Sequence, residues 1–269
     1  MRKTVGVIAL ISTLFLALPA VSTAADAHPK KYGVELQLGG GVYMMEDVND
    51  FIPADFIYEE PDKINIGSQF GVGIIYRHME NFGWQIGFNR LAAGVPVVFE
   101  HKYEVRAYLG TASEESWMEQ TVSGYEVYFM ATWYKPTKAG EWMLGVGPAL
   151  YKAVLDRSID IVRDSGPSPS HLTGGSFTDA KGKALGLILT LGYELPMGSS
   201  TSLVFQGGGR LAQVGKLTYD DPNALEGKQT VYKNAATGST MAVDFTGAFA
   251  KVTFRAYFKP SIDWRQHPR

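Results

Sequence analysis

Residues 122–134 read Val-Ser-Gly-Tyr-Glu-Val-Tyr-Phe-Met-Ala-Thr-Trp-Tyr, and their alternation decides the fold. Tyr125, Val127, Phe129, Ala131 and Trp133 share one parity, and Glu126, Tyr128, Thr132 and Tyr134 share the other. Period two is the signature of a β-strand, whose successive side chains point to opposite faces. The pattern recurs on both sides of this stretch. Tyr32, Val34, Leu36, Leu38, Val42 and Met44 alternate with Gly33, Glu35, Gln37, Gly39, Gly41 and Tyr43. Phe70, Val72, Ile74 and Tyr76 alternate with Gln69, Gly71, Gly73 and Arg77, and Phe82, Trp84, Ile86 and Phe88 with Gly83, Gln85, Gly87 and Asn89. Further on, the apolar sets are Trp142 to Leu150, Leu185 to Tyr193, Leu203 to Leu211 and Val252 to Phe258. Their polar or small partners include Glu194, Arg210, Lys251 and Arg255. Eight strands are predicted, all in one domain.

The connections alternate in length. Residues 79–81, 136–140 and 196–200 are short turns, whereas 45–65, 96–121, 156–182 and 217–244 are long. Short turns on one side and long loops on the other suit a transmembrane barrel. The aromatics say which face is outward. Tyr32, Tyr76, Phe82, Trp84, Trp133, Trp142, Tyr193 and Phe258 lie on the apolar parity within about three residues of the short-turn ends, as an interfacial girdle requires. A soluble core has no reason to gather its large aromatics at one rim. The expectation is an all-β, eight-stranded antiparallel up-and-down transmembrane β-barrel, with short periplasmic turns and long extracellular loops. A soluble periplasmic barrel is the weaker alternative.

The whole chain after its leader resembles the small eight-stranded outer-membrane proteins, such as the OmpA barrel domain, OmpX and OmpW. The matching stretches are Gly145-Val146-Gly147-Pro148-Ala149-Leu150-Tyr151 and the last strand, from Asp244-Phe245-Thr246-Gly247 to Tyr257-Phe258. In that family a terminal strand ending in an aromatic residue looks like the signal read by the barrel assembly machinery. Here Lys259 to Arg269 run past Phe258, a departure from the pattern. The resemblance implies a place in the outer membrane of a Gram-negative bacterium, among lipids that include lipopolysaccharide. It implies an architecture, since functions within the family are diverse.

The ends of the chain give a domain plan. Arg2 and Lys3 precede the apolar run Val5 to Leu18, then Pro19 and the small residues Ser22-Thr23-Ala24. That is the pattern of a cleaved secretory signal peptide over residues 1–24. The barrel is expected over 25–258 and a periplasmic tail over 259–269. No later stretch is apolar for long enough to form a transmembrane helix. The full chain has 25 basic and 27 acidic residues; removing Arg2 and Lys3 leaves 23 and 27, a net charge of −4. A nucleic-acid partner would show as a basic excess, so none is expected. There is no cysteine. That excludes disulfides, thiol chemistry and lipid attachment through an N-terminal cysteine.

Several local features bear on chemistry. Gly71-x-Gly73 and Gly145-x-Gly147 lie inside strands, where a nucleotide-binding glycine loop has no place, and read as small lumen-facing residues. His101 and His171 are the conceivable bases of a barrel enzyme acting on envelope lipid, with Ser168 and Ser170 beside His171. The first long loop carries Glu46, Asp47, Asp50, Asp55, Glu59, Glu60 and Asp62, but their spacing matches no calcium loop. No cofactor, metal site or catalytic residue is assigned, and a monomeric non-enzyme is expected.

Two groups of charges remain. Glu35, Arg77, Glu126, Glu194, Arg210, Lys251 and Arg255 share the polar parity and are expected to form a lumen network, because unpaired charge in a narrow interior is costly. Counting from the short-turn ends puts Arg77, Glu194, Glu35 and Arg255 in one layer. It puts Glu126, Arg210 and Lys251 in another at mid-height. Two such layers would leave the lumen narrow and largely plugged, so the expected work is either envelope integrity and surface interaction or passage of a small solute through that lumen. Lys152, Lys181 and Lys183 share the apolar, outward parity near the long-loop end. They are candidate contacts for glycolipid phosphates.

Overall fold

A computed structural model of the chain describes residues 31–49, 64–93, 103–108, 114–163, 170–220, 229–233 and 238–258. The expected leader and C-terminal tail lie outside the described residues. Eight strands form the wall: β1 (Tyr32–Tyr43), β2 (Ile66–Met79), β3 (Phe82–Ala93), β5 (Glu114–Pro136), β6 (Glu141–Arg163), β7 (Ser170–Pro196), β8 (Thr201–Leu211) and β13 (Gly247–Phe258). Each pairs antiparallel with the next, and β13 pairs back onto β1, from Tyr32 opposite Phe258 to Tyr43 opposite Gly247. The barrel is therefore closed, each wall strand pairing with a neighbour on both sides over at least part of its length.

The parities of the sequence become the two faces of the wall. The outward set stays exposed, with Leu38 at 67%, Ile74 at 62% and Leu185 at 80%. The inward set is buried and polar: Gln37, Gln69, Gln85, Asn89, Thr132, Thr190, Gln206 and Thr253 accompany the charged residues. A soluble barrel would turn the apolar face in. This wall is built for a lipid solvent, in which a closed sheet satisfies its backbone internally. Among the described residues no helix is long and apolar enough to cross a membrane.

The aromatic girdle is a chain of cross-strand neighbours. Phe258, Tyr32, Tyr76 and Trp84 are successive register partners across four strands. Phe82 lies opposite Trp133, and Trp142 opposite Tyr193. Ring centroids of Trp142 and Tyr193 are 4.9 Å apart, and those of Tyr32 and Tyr76 5.2 Å.

Large side chains from one wall fill the space that glycines leave on another. A Cβ placed on Gly87 would overlap the Tyr128 ring, and one on Gly145 would sit 2.6 Å from Met130 Sδ. This is how eight strands of modest circumference enclose a packed interior.

The long connections depart from the expectation. Residues 156–182 are not one long loop, because β6 and β7 stay paired well past the barrel, from Leu155 opposite Ala180 to Arg163 opposite Ser170, with two register shifts. His171 therefore belongs to a strand rather than to an irregular loop. Likewise, the connection from β3 contains β4 (Tyr103–Tyr108), which pairs with the early part of β5. Beyond the lipid a ribbon of strands can hydrogen-bond to water on its open edge, so the pairing need not stop where the apolar alternation does. The first connection contains a short helix, α1 (Glu46–Asn49). The last contains β9 (Gln213–Val214), β10 (Thr218–Asp220), β11 (Gln229–Val231) and β12 (Val243–Asp244), with β9 paired to β12.

Candidate functional site: the filled lumen

The short-turn end of the lumen opens with Arg77. Its guanidinium meets Glu141 at 2.8 Å, donates to the Glu80 carbonyl and lies 3.9 Å over the Tyr134 ring. Height along the strands groups Arg77 with Glu35, Glu194 and Arg255; the structure gives it a separate partner. Glu141 is absent from the residues that the sequence singles out. It is the first residue after a short turn, and its only signal is the inward parity of Met143 and Gly145 carried back one step.

Next comes the most densely bonded layer. Arg255 is fully buried, with its Nε 2.5 Å from Glu35 Oε1 and a terminal nitrogen 2.6 Å from Glu194 Oε2. Glu194 also accepts from the Tyr257 hydroxyl at 2.8 Å and from Ser202 at 2.9 Å. Glu35 accepts from Gln37 at 2.9 Å and from Gln85. Gln37 reaches across the lumen and donates to the Tyr128 hydroxyl at 2.6 Å. Its carbonyl accepts from the Lys251 ammonium at 2.8 Å. Lys251 is thus tied to this layer through Gln37, not to Glu126 as its height suggests. The reason is register: Gly39, not a longer residue, stands opposite Lys251, which leaves the lysine side chain room to turn toward Gln37 on the same strand as that glycine.

At mid-height Asn89 donates to Glu126 at 2.5 Å, and Arg210 Nε lies 3.7 Å from the other Glu126 oxygen. Arg210 also donates to Gln69 and sits 4.5 Å over the Phe249 ring. The expected approach of Glu126 and Arg210 across the interior is therefore present as a loose pair. With Glu141 included, these lumen groups are Glu35, Glu126, Glu141 and Glu194 against Arg77, Arg210, Lys251 and Arg255. Their signs balance, so together they exert no net attraction on one sign of ion.

Above these layers the lumen turns apolar, which no feature of the sequence announces. Tyr43, Leu91, Val122, Tyr151, Leu155 and Ile188 from the wall form one buried cluster with Met45, Val48 and Ile64 of the first connection. The last connection adds Val214, Leu217, Tyr232, Met241, Val243 and Phe245. Segments that leave the wall thus return to close the mouth. No long periodicity marks the residues of these connections, because they come from irregular chain or very short strands.

Lys152, Lys181 and Lys183 all face outward. Lys152 stands directly opposite Lys183. Their strands continue far past them, so they lie at the upper margin of the apolar belt rather than at strand ends. His101 and Ser168 lie outside the described residues, as do the side chains of Ser170 and His171 and most of the acidic first loop. Among the described residues no cluster of metal-ligating side chains occurs.

No family model matches this chain. No curated protein matches it either. Among solved structures it is similar to the neisserial surface protein NspA, at 13% identity and TM-score 0.39, covering 84% of this chain and 97% of that one. It is also similar to Ail, the attachment invasion locus protein of Yersinia pestis, at 8% identity and TM-score 0.36, covering 84% and 97%. A third is the outer-membrane protein AlkL, at 9% identity and TM-score 0.33, covering 91% and 98%. By its own strand pairing, outward apolar belt and filled interior, the chain has the architecture of the small eight-stranded outer-membrane β-barrels.

Proposed function

We propose that this protein is a non-enzymatic, monomeric barrel of a Gram-negative outer membrane that serves envelope integrity and surface interaction, and does not conduct solutes. It is exported by a cleaved signal peptide and folded by the barrel assembly machinery, with its short turns in the periplasm. The observation that carries this reading is the closure of the lumen at successive heights. Arg255 between Glu35 and Glu194 closes the lower half, and the apolar cluster around Phe245 closes the mouth. Buried ion pairs of this kind resist hydration only while each charge keeps its partner. A general porin needs a continuous water column, and the solvent-shielded side chains at both heights argue against one. The test is osmotic swelling of vesicles carrying the refolded protein. Small sugars should enter no faster than into protein-free vesicles. Rapid, size-dependent swelling would refute the reading.

A further inference from the structure

The β7–β8 seam of the wall is incomplete at its long-loop end. The β7–β8 ladder runs from Pro196 opposite Ser202 to Leu187 opposite Leu211 and stops there. Pairing on that side of β7 resumes only at Lys181, opposite Thr218 of β10. Between them the chain leaving β8 turns inward at Ala212, which accepts a hydrogen bond from Phe245 N and donates one to Thr246 Oγ1. Residues 182–186 of β7 are left without ladder partners on that side. A cleft of about 560 Å³ occupies the gap, lined by Leu185, Gly186, Leu187, Leu211, Ala212, Gln213 and Thr246. The cleft is blind: a Cβ on Gly186 would meet the Tyr151 ring at 2.7 Å, and Tyr151 belongs to the apolar plug.

Its chemistry is two-sided. The outward leucines Leu185, Leu187 and Leu211 are exposed beside it. Lys183 lies within the unpaired stretch itself, facing out, with Lys152 directly opposite on β6. Among the described residues neither ammonium has a hydrogen-bond or ion-pair partner. Like charges placed directly opposite on one sheet face repel, and an anion between them removes that cost. An unpaired strand edge facing lipid also needs a polar partner. A phosphorylated lipid meets both needs: its phosphate answers the two ammoniums, and its ester oxygens, just below the phosphate, can accept from the open edge of β7.

We propose that the interrupted β7–β8 seam is a docking cleft for one phosphorylated lipid of the leaflet next to the long loops. Its phosphate bridges Lys152 and Lys183, its ester oxygens enter the cleft, and one acyl chain lies over the exposed Leu185, Leu187 and Leu211 beside it. The blind inner wall makes this a place of retention and not a route of passage. The inference rests on the lipid-facing wall of the proposed function and is independent of whether the lumen conducts.

The test uses the mature chain refolded in detergent micelles, with native mass spectrometry and titration of dioleoyl phosphatidic acid or dioleoyl phosphatidylcholine. The wild type should retain one phosphatidic acid in preference to phosphatidylcholine. Lys152→Gln with Lys183→Gln should weaken that retention at least about ten-fold. Gln213→Trp, whose outward side chain fills the cleft and leaves both lysines in place, should weaken it as well. Heat-modifiable mobility in gels reports folding of each variant. Equal retention of the two lipids by the wild type, or unchanged retention in the double glutamine variant, overturns the proposal. Loss with the lysines but none with Gln213→Trp would overturn the cleft and leave only surface lysines attracting charge.

Discussion

Glu35 and Arg255 are register partners across the seam that closes the barrel, and their side chains meet at 2.5 Å inside it. The pair joins the first barrel strand to the last. It also continues to Glu194, so that one cation serves carboxylates from strands on both sides of β13.

That arrangement makes Arg255 the most costly lumen charge to remove. Arg255→Met leaves Glu35 and Glu194 buried without their counter-charge. Breaking a buried pair typically costs about 3–5 kcal/mol. Glu35→Gln removes one carboxylate but leaves Arg255 paired with Glu194, and should cost less. Equilibrium unfolding by urea in vesicles gives the ranking, and a smaller loss for Arg255→Met than for Glu35→Gln would reverse it.

Gly87 is predicted to be intolerant for reasons of space. Gly87→Ala drives a methyl into the Tyr128 ring, since a Cβ at this position falls far inside contact distance of it. Overpacking of this kind costs about 1–3 kcal/mol. Adding Tyr128→Ala should recover part of the loss, although it also removes the acceptor of Gln37 and Gln85. Gel mobility after heating across a temperature series measures both variants. No recovery in the double variant would mean that the clash is relieved elsewhere.

Much of this was legible in the sequence, because period two survives wherever one face meets lipid and the other a narrow lumen. Glu35 and Arg255 can be matched by counting from the short-turn end, since a closed barrel makes the first and last strands neighbours. The bond from Lys251 to Gln37 cannot, because it depends on the register that puts Gly39 opposite Lys251. The apolar plug is invisible for a different reason. Val48, Met241 and Phe245 lie in the connections, where burial follows from where the chain returns and not from any repeat. The extension of β6 and β7 past Leu155 and Ala180 is hidden too, because the alternation there is brief, Ile159 and Ile161 on β6, and Gly174-Gly175 interrupts it on β7.

An even number of wall strands returns the chain to its starting side, so Lys31 and Phe258 are at the same end of the barrel. An epitope inserted between Arg163 and Ser170 should bind antibody on intact cells. One appended after Arg269 should bind only after the outer membrane is permeabilised. Labelling of the second on intact cells would invert the topology.

A closed lumen is the central claim, and planar-bilayer recording of the refolded protein tests it. The wild type should show no steady conductance. Glu126→Gln removes the charge that faces Arg210 in the loose middle layer and should raise the frequency of brief openings, because Arg210 is then better hydrated than buried. A large, steady conductance in the wild type would refute the closed lumen, whatever the variant does.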